Sequence, residues 1–164
     1  MELENLTIED IEDFFWKAAK DGWGSGKVEK QKISSLPGYK CIPFESGRFS
    51  ILDAYCVTPL NDKSAGMMTI WFDKIPVWIM HYGGEYPEQV IPFLKLALQD
   101  TIMRQDFIGG RGPKRFVHGN YPNLLYVNTV DNDLDRFSNF SGLESIFENG
   151  HTVGHHYYRG MSLI

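Results

Sequence analysis

The sequence predicts an α+β fold: two tandem repeats of a helix plus a four-stranded antiparallel meander, forming one antiparallel sheet of about eight strands with two main helices. Three observations predict it. The segments 66–84 and 142–160 align without a gap at a separation of 76 residues, pairing Gly66 with Gly142, Ile70 with Ile146, Val77 with Val153, Tyr82 with Tyr158 and Gly84 with Gly160, where average usage allows roughly one chance identity. Each segment reads as two strand-like runs about a central turn, Asp73-Lys74-Ile75 in one and Asn149-Gly150 in the other. Each is preceded by further strand-like runs and, earlier, by a stretch with helical spacing. Each meander alone would leave an apolar face exposed, so the simplest assembly puts both in one sheet with both helices on one face. An alternative arrangement is a cone of the cystatin or NTF2-like type. The repeats run from about 7 to 84 and from about 86 to 161, within a single domain spanning 1–164.

Thr7 starts the first helix, because its hydroxyl can accept from an orphan amide while Glu9, Asp10, Glu12 and Asp13 suit the positive end of the dipole. Ile8, Ile11, Phe15 and Ala18 form its apolar stripe, and Gly22 ends it. From Trp23 to Gly38 there is no period, which predicts a loop. Strands are expected at 39–44 and 48–58 around Glu45-Ser46-Gly47, then at 67–72 and 76–82 around Asp73-Lys74-Ile75. The second helix falls within 87–103, with Phe93, Leu94, Ala97 and Leu98 facing the core; Pro92 disfavours helix before it and moves the regular part to begin there. After a glycine-rich loop at 109–113 come strands at 114–117 and 124–129. Tyr126 and Thr129 match Tyr55 and Thr58 at a separation of 71, so the polar stretch 131–139 is expected to hold a five-residue longer loop. Strands at 142–148 and 152–158 close around Asn149-Gly150, a dipeptide suited to a type I′ turn.

With 164 residues, 43% hydrophobic and 23% charged, the chain fits one soluble globular unit rather than a disordered or membrane-spanning one. No apolar run approaches the roughly 20 residues of a membrane helix, and the acidic N-terminus lacks a secretory profile, so a cytoplasmic location is expected. Cys41 and Cys56 are too few for a disulfide-dependent fold and are read as reduced. A net charge of −5 argues against nucleic acid as a partner of this chain alone. A homodimer remains open to it.

At Tyr55, Gly66, Pro76-Val77-Trp78-Ile79-Met80-His81-Tyr82, Arg111-Gly112-Pro113, Gly142-Leu143-Glu144 and Tyr158-Arg159-Gly160 the chain resembles an uncharacterised bacterial family. That family is a domain of unknown function, found alone or attached behind helix-turn-helix regulators of the XRE type. The resemblance covers most of the chain and implies an arrangement and a sensory role, without a reaction. Its pattern carries Gly-x-Glu in both halves. Here only Gly142-Leu143-Glu144 keeps it, with Met68 at the corresponding place of the first half and His81 where asparagine is more usual, which weakens any paired-carboxylate chemistry. No helix-turn-helix is expected ahead of the domain, because the chain begins almost directly with its first helix.

Glu144 alternates with Ile146 and so shares a face with an apolar neighbour. Buried there, it is either a general base or ligand-binding carboxylate, or, more simply, a charge satisfied by backbone amides or an arginine. His151, His155 and His156 do not make a metal site: on a strand His155 and His156 face opposite sides, and no further ligand completes a tetrahedral set. No metal and no cofactor are expected. Gly24-Ser25-Gly26-Lys27 is a chance match to a phosphate loop, since Val28 stands where Ser or Thr must hold magnesium. In 109–115 the glycines free amides to face an anion and Arg111 can fork onto a carboxylate or phosphate, although a solvated loop with Lys114 and Arg115 is the plainer reading. Aromatics spaced by two on a strand share a face, so Trp78, Tyr82 and Tyr158, with Tyr55, can line a pocket or simply fill a core.

With no nucleophile and base set in evidence, the leading expectation is a non-enzymatic small-ligand-binding or sensory domain. Its pocket would lie between the halves, using Tyr55, Trp78, His81, Tyr82, Arg111, Glu144, His156 and Tyr158. The alternatives are an acid–base hydrolase or lyase in which Glu144 works with His81 or His156, and a protein-interaction module.

Overall fold

The computed structural model describes residues 2–22, 28–131 and 136–164. Its elements run α1 (Ile8–Asp21), β1 (Gln31–Lys32), β2 (Tyr39–Ser46), β3 (Phe49–Val57), β4 (Lys63–Phe72), β5 (Ile75–Glu85), α2 (Ile91–Arg104), β6 (Arg115–His118), β7 (Tyr121–Val130), β8 (Asn139–Glu148) and β9 (His151–Ser162). The strands form one antiparallel sheet of nine in the order β1-β2-β3-β4-β5-β9-β8-β7-β6, so the two meanders meet where β5 pairs with β9. The α+β architecture of helices and meanders is as expected, with the two-residue β1 added at one edge. The phosphate-loop-like Gly24-Ser25-Gly26-Lys27 lies outside the described residues.

Thr7 and Asp10 close a capping box at the start of α1: the Asp10 amide donates to Thr7 Oγ1 at 3.2 Å, and the Thr7 amide donates to Asp10 Oδ2 at 2.9 Å. Helix α2 begins at Ile91 with Pro92 in its first turn, where a missing N–H costs nothing.

The two long hairpins share their irregularities. Both turn through two consecutive left-handed residues, Asp73 and Lys74 (φ 48° and 67°) in one and Asn149 and Gly150 (φ 49° and 85°) in the other. Both carry a β-bulge at matching positions. Trp71 pairs with Pro76 while Ile70 pairs with Trp78, leaving Val77 as the extra residue; Phe147 pairs with Thr152 while Ile146 pairs with Gly154, leaving Val153.

Register corrects the backward extension of the repeat. Ile51 stands opposite Ile70 and Tyr126 opposite Ile146, so Tyr126 corresponds to Ile51 at a separation of 75, and not to Tyr55 at 71. The counterpart of Asp53 is then Asn128, since these face Met68 and Glu144 respectively.

Residues paired across neighbouring strands share a face. One such row runs Tyr55, Gly66, Tyr82, Tyr158, Gly142, and the next runs Ser64, Gly84, His156, Glu144, Asn128. Both helices cover this face. Helix α1 packs Phe15 against Trp78, Phe107 and Phe137 at centroid distances of 5.7, 5.6 and 5.6 Å, and α2 packs Phe93, Leu94 and Ala97 over Leu124, Tyr126 and Ile146. The opposite face carries the exposed side chains of His81, Tyr157 and Met161.

Candidate functional site

Glu144 is fully buried in the middle of the sheet, and the loop at 109–113 folds down onto it. The Arg111 amide donates to Glu144 Oε1 at 2.6 Å, while Arg111 Nε and Nη2 donate to Oε2 at 3.2 and 2.7 Å. Arg111 forks onto a carboxylate as its loop chemistry predicts, but the carboxylate belongs to the protein. Asn128 ties the loop to the sheet: its Nδ2 donates to the Gly109 and Gly112 carbonyls at 2.8 and 3.1 Å, and its Oδ1 accepts from the Tyr158 hydroxyl at 2.7 Å. Close approach demands glycine here. A Cβ on Gly110, whose φ is +70°, would lie 2.6 Å from the Tyr158 ring and 2.9 Å from Glu144 Oε1.

His156 continues the chain from Arg111. Its Nδ1 lies 3.1 Å from Arg111 Nη2, and because a guanidinium can only donate, Nδ1 must accept and Nε2 must carry the proton. Nε2 then donates to Ser64 Oγ at 3.2 Å. The ring lies between Tyr82 and Tyr86, at 6.0 and 4.6 Å between centroids. Burial, with the Arg111 charge behind it, holds the imidazole neutral, its pKa pushed down to about 2. In the unfolded chain it takes up a proton near pH 6.5. The unfolded state thus binds more protons throughout this window, and folding loses stability as pH falls below about 6.5, by about 1.4 kcal/mol per pH unit. His156→Gln, whose amide oxygen can still accept from Arg111, flattens that slope; urea midpoints measured from pH 7 to pH 4 for both proteins check it.

Arg111 stays charged: burial alone would lower its pKa, but the Glu144 carboxylate, through its charge and hydrogen bond, together with Tyr86 and Tyr82, raises it above the usual arginine range. Its guanidinium carbon also sits 5.1 Å over the Tyr82 ring, a cation–π contact. The Tyr82 hydroxyl donates to Asp53 Oδ1 at 2.6 Å. Burial raises the Asp53 carboxyl above its ordinary pKa, with the Tyr82 hydrogen bond and the Arg111 charge opposing that rise. The corresponding pair in the other half is Tyr158 and Asn128, where a neutral amide accepts the same bond. Asp53→Asn is therefore expected to keep the bond and to leave stability at pH 7 unchanged or raised by up to about 1 kcal/mol in urea titration, since it removes a buried charge.

These groups floor a groove of about 720 Å³, walled by Ile91, Leu94 and Leu98 of α2 and by Tyr55 and Tyr86. At Asp53, Leu98 and Arg111 it adjoins an inner chamber of about 120 Å³ under α1. Of the residues expected at a site, Tyr55, Tyr82, Arg111 and His156 line the groove, and Glu144 lies beneath Arg111. Tyr158 is buried behind them and reaches the site through Asn128. Trp78 does not line it: fully buried in the core, it stacks on Phe137 at 5.0 Å and donates through Nε1 to the Phe137 carbonyl at 2.9 Å. His81 is on the other face of the sheet, because residues adjacent in a strand cannot share a side with Tyr82. Lys114 and Arg115 line a separate cleft beside Val127 and Thr129. Asp53, Ser64 and Tyr86 were not anticipated; Asp53 could have been found from the register, which sets it opposite Met68, the counterpart of Glu144.

Residues 61–163 match the family described as a domain of unknown function, DUF5680, and since this is more than half of the chain, the chain belongs to that family. No curated protein and no solved structure matches it.

Proposed function

We propose that this member of the DUF5680 family is a small-ligand-binding or sensory module without catalytic activity, and that its ligand lies in the groove over Tyr82, Arg111 and His156. The observation that carries this reading is the direction of the hydrogen bonds along Ser64, His156, Arg111 and Glu144. A hydrolase of this outline would need an imidazole lone pair facing the serine and a carboxylate on the far nitrogen. Here the serine faces an N–H and the far nitrogen faces an arginine, so Ser64 is not activated and Glu144 is engaged by Arg111. Such a chain holds groups in fixed positions and moves no proton. That is the property of a recognition surface.

A sensory role accords with the resemblance to domains attached behind XRE-type regulators. Free Cys41 and Cys56 suit the reducing cytoplasm of a bacterium. No described helix is long and apolar enough to cross a membrane. Assembly as a homodimer is compatible with the open sheet face that carries Tyr157 and Met161.

Thermal-shift screening across small metabolites tests the reading. At least one compound is expected to raise the melting temperature of the wild type, and to lose that effect in Leu98→Trp, which fills the groove wall. Stabilisers that act equally on Leu98→Trp would place the ligand elsewhere. Turnover of any ester or amide that disappears in Ser64→Ala would overturn the non-catalytic reading.

A further inference from the structure

Four lysines surround the groove, and each comes from a different part of the chain: Lys30 ahead of β1, Lys40 on β2, Lys63 on β4 and Lys95 on α2. None forms an ion pair among the described residues. In a chain of net charge −5 they leave this lining with a small positive excess, since Arg111 is matched by Glu144 and the lysines share the walls with Asp53, Asp62 and Glu88. Lys40 stands opposite Tyr55 in the sheet and so shares its face, and Lys30 Nζ lies 5.5 Å from the Tyr55 ring centre; both are exposed at the groove mouth. Asp53 accepts from the Tyr82 hydroxyl and keeps its charge, and Asp62 and Glu88 are exposed at the rim, as the four lysines are.

Behind the lysines the chemistry changes. The inner chamber is lined by Phe15, Trp16, Met68, Met80 and Phe107, all apolar. Thr101 also lines it, its buried hydroxyl without a partner among the described residues. A basic mouth, a neck at Arg111 and Leu98, and an apolar end follow one another in space.

We infer that the groove takes an amphiphilic organic anion, its carboxylate or phosphate among Lys30, Lys40 and Lys95 and its apolar end in the chamber beyond Leu98. The inference rests on the groove being the ligand site. The lysines supply attraction and orientation, and burial of the apolar end supplies most of the affinity.

Isothermal titration of the full chain with octanoate, octyl phosphate, 1-octanol, octylamine and inorganic phosphate tests it, because the first four share one tail and differ in head. Octanoate or octyl phosphate is expected to bind at least about tenfold tighter than 1-octanol, with octylamine weakest, and the preference between the two acids identifies the head group. The double variant Lys40→Glu, Lys95→Glu should weaken the anions by about tenfold and leave 1-octanol unchanged, an effect that shrinks with added salt. Asp53→Asn, which keeps the Tyr82 bond, should tighten them by about threefold. If 1-octanol or octylamine binds as tightly as the anions, the anionic class is overturned while the groove stands as a ligand site. Inorganic phosphate binding as tightly as octyl phosphate overturns the apolar end. Binding of none of the five overturns the inference, and the reading beneath it falls only if the metabolite screen also yields no stabiliser that Leu98→Trp abolishes.

Discussion

Replacing Glu144 by methionine is expected to destabilise the fold by about 3 kcal/mol, the lower end of what removing one partner of a buried ion pair costs. The side chain of Glu144 is fully buried, and methionine, which already stands at the corresponding place in the other half as Met68, fills its space without a charge. The cost arises at Arg111. Its guanidinium would lose the partner of both Nε and Nη2 and keep His156 and the Tyr82 ring, neither of which carries an opposite charge. Because the Arg111 side chain is 21% exposed, water can recover part of that loss, which is why the lower end is expected. Arg111→Met alone should be as damaging, since it leaves a carboxylate with no exposure and a single amide donor. The double variant should recover most of the stability, because two apolar groups replace a desolvated pair. A double-mutant cycle measured by urea unfolding reads the coupling directly; a double variant as unstable as the sum of the singles would mean that the two groups do not act on each other.

The hairpins and the face carrying the helices were legible because alternation and turn chemistry are local. Asn149-Gly150 sets its turn alone, and Ile146 declares the face on which Glu144 lies. Arg111 was legible for a related reason: glycines on both sides of an arginine free its backbone for close approach, whatever the arginine then meets. What alternation does not supply is position along the strand. Trp78 and Tyr82 share a face, yet Trp78 lies under α1 among aromatic rings while Tyr82 is two pleats further, where the cover ends and the groove begins. Nor does it supply register between strands remote in sequence. Matching Tyr126 to Tyr55 by residue type misplaced the start of the second meander, because the buried position opposite Ile146 accepts a tyrosine where its counterpart has Ile51. The groups that give the site its chemistry depend on that register. Ser64 meets His156 across Gly84, and Asp53 meets Tyr82 across β4, contacts set by strands that are not neighbours in the chain.

Gly142→Ala should cost about 3–4 kcal/mol, combining overpacking with a broken buried hydrogen bond. A Cβ on Gly142 would collide with the Thr129 carbonyl oxygen of the neighbouring strand and with the Tyr158 hydroxyl. The ring can swing away, but the carbonyl is fixed by the β7–β8 ladder and cannot. If Tyr158 moves, its bond to Asn128 is lost, and Asn128 is the residue that holds the Gly109 and Gly112 carbonyls and so the loop bearing Arg111. Damage at Gly142 should therefore reach the groove: the Arg111 amide, which donates to Glu144 in the wild type, is expected to lose its protection from hydrogen exchange. Tyr158→Phe separates the two effects, since it removes the hydroxyl without the collision and should cost about 1–2 kcal/mol. Gly66→Ala offers the comparison within the other half. There the nearest atoms to the new Cβ would be Tyr82 Cζ and Oη at 2.6 Å, which can swing away, and Tyr55 Cβ at 2.7 Å, which is fixed to its strand but overlaps less closely than the Thr129 carbonyl does at Gly142, so it should be the milder of the two glycine substitutions. Urea unfolding of the three variants with hydrogen exchange on Gly142→Ala checks the order, and a Gly66→Ala protein less stable than Gly142→Ala would show that the carbonyl of Thr129 is not what forbids a side chain at position 142.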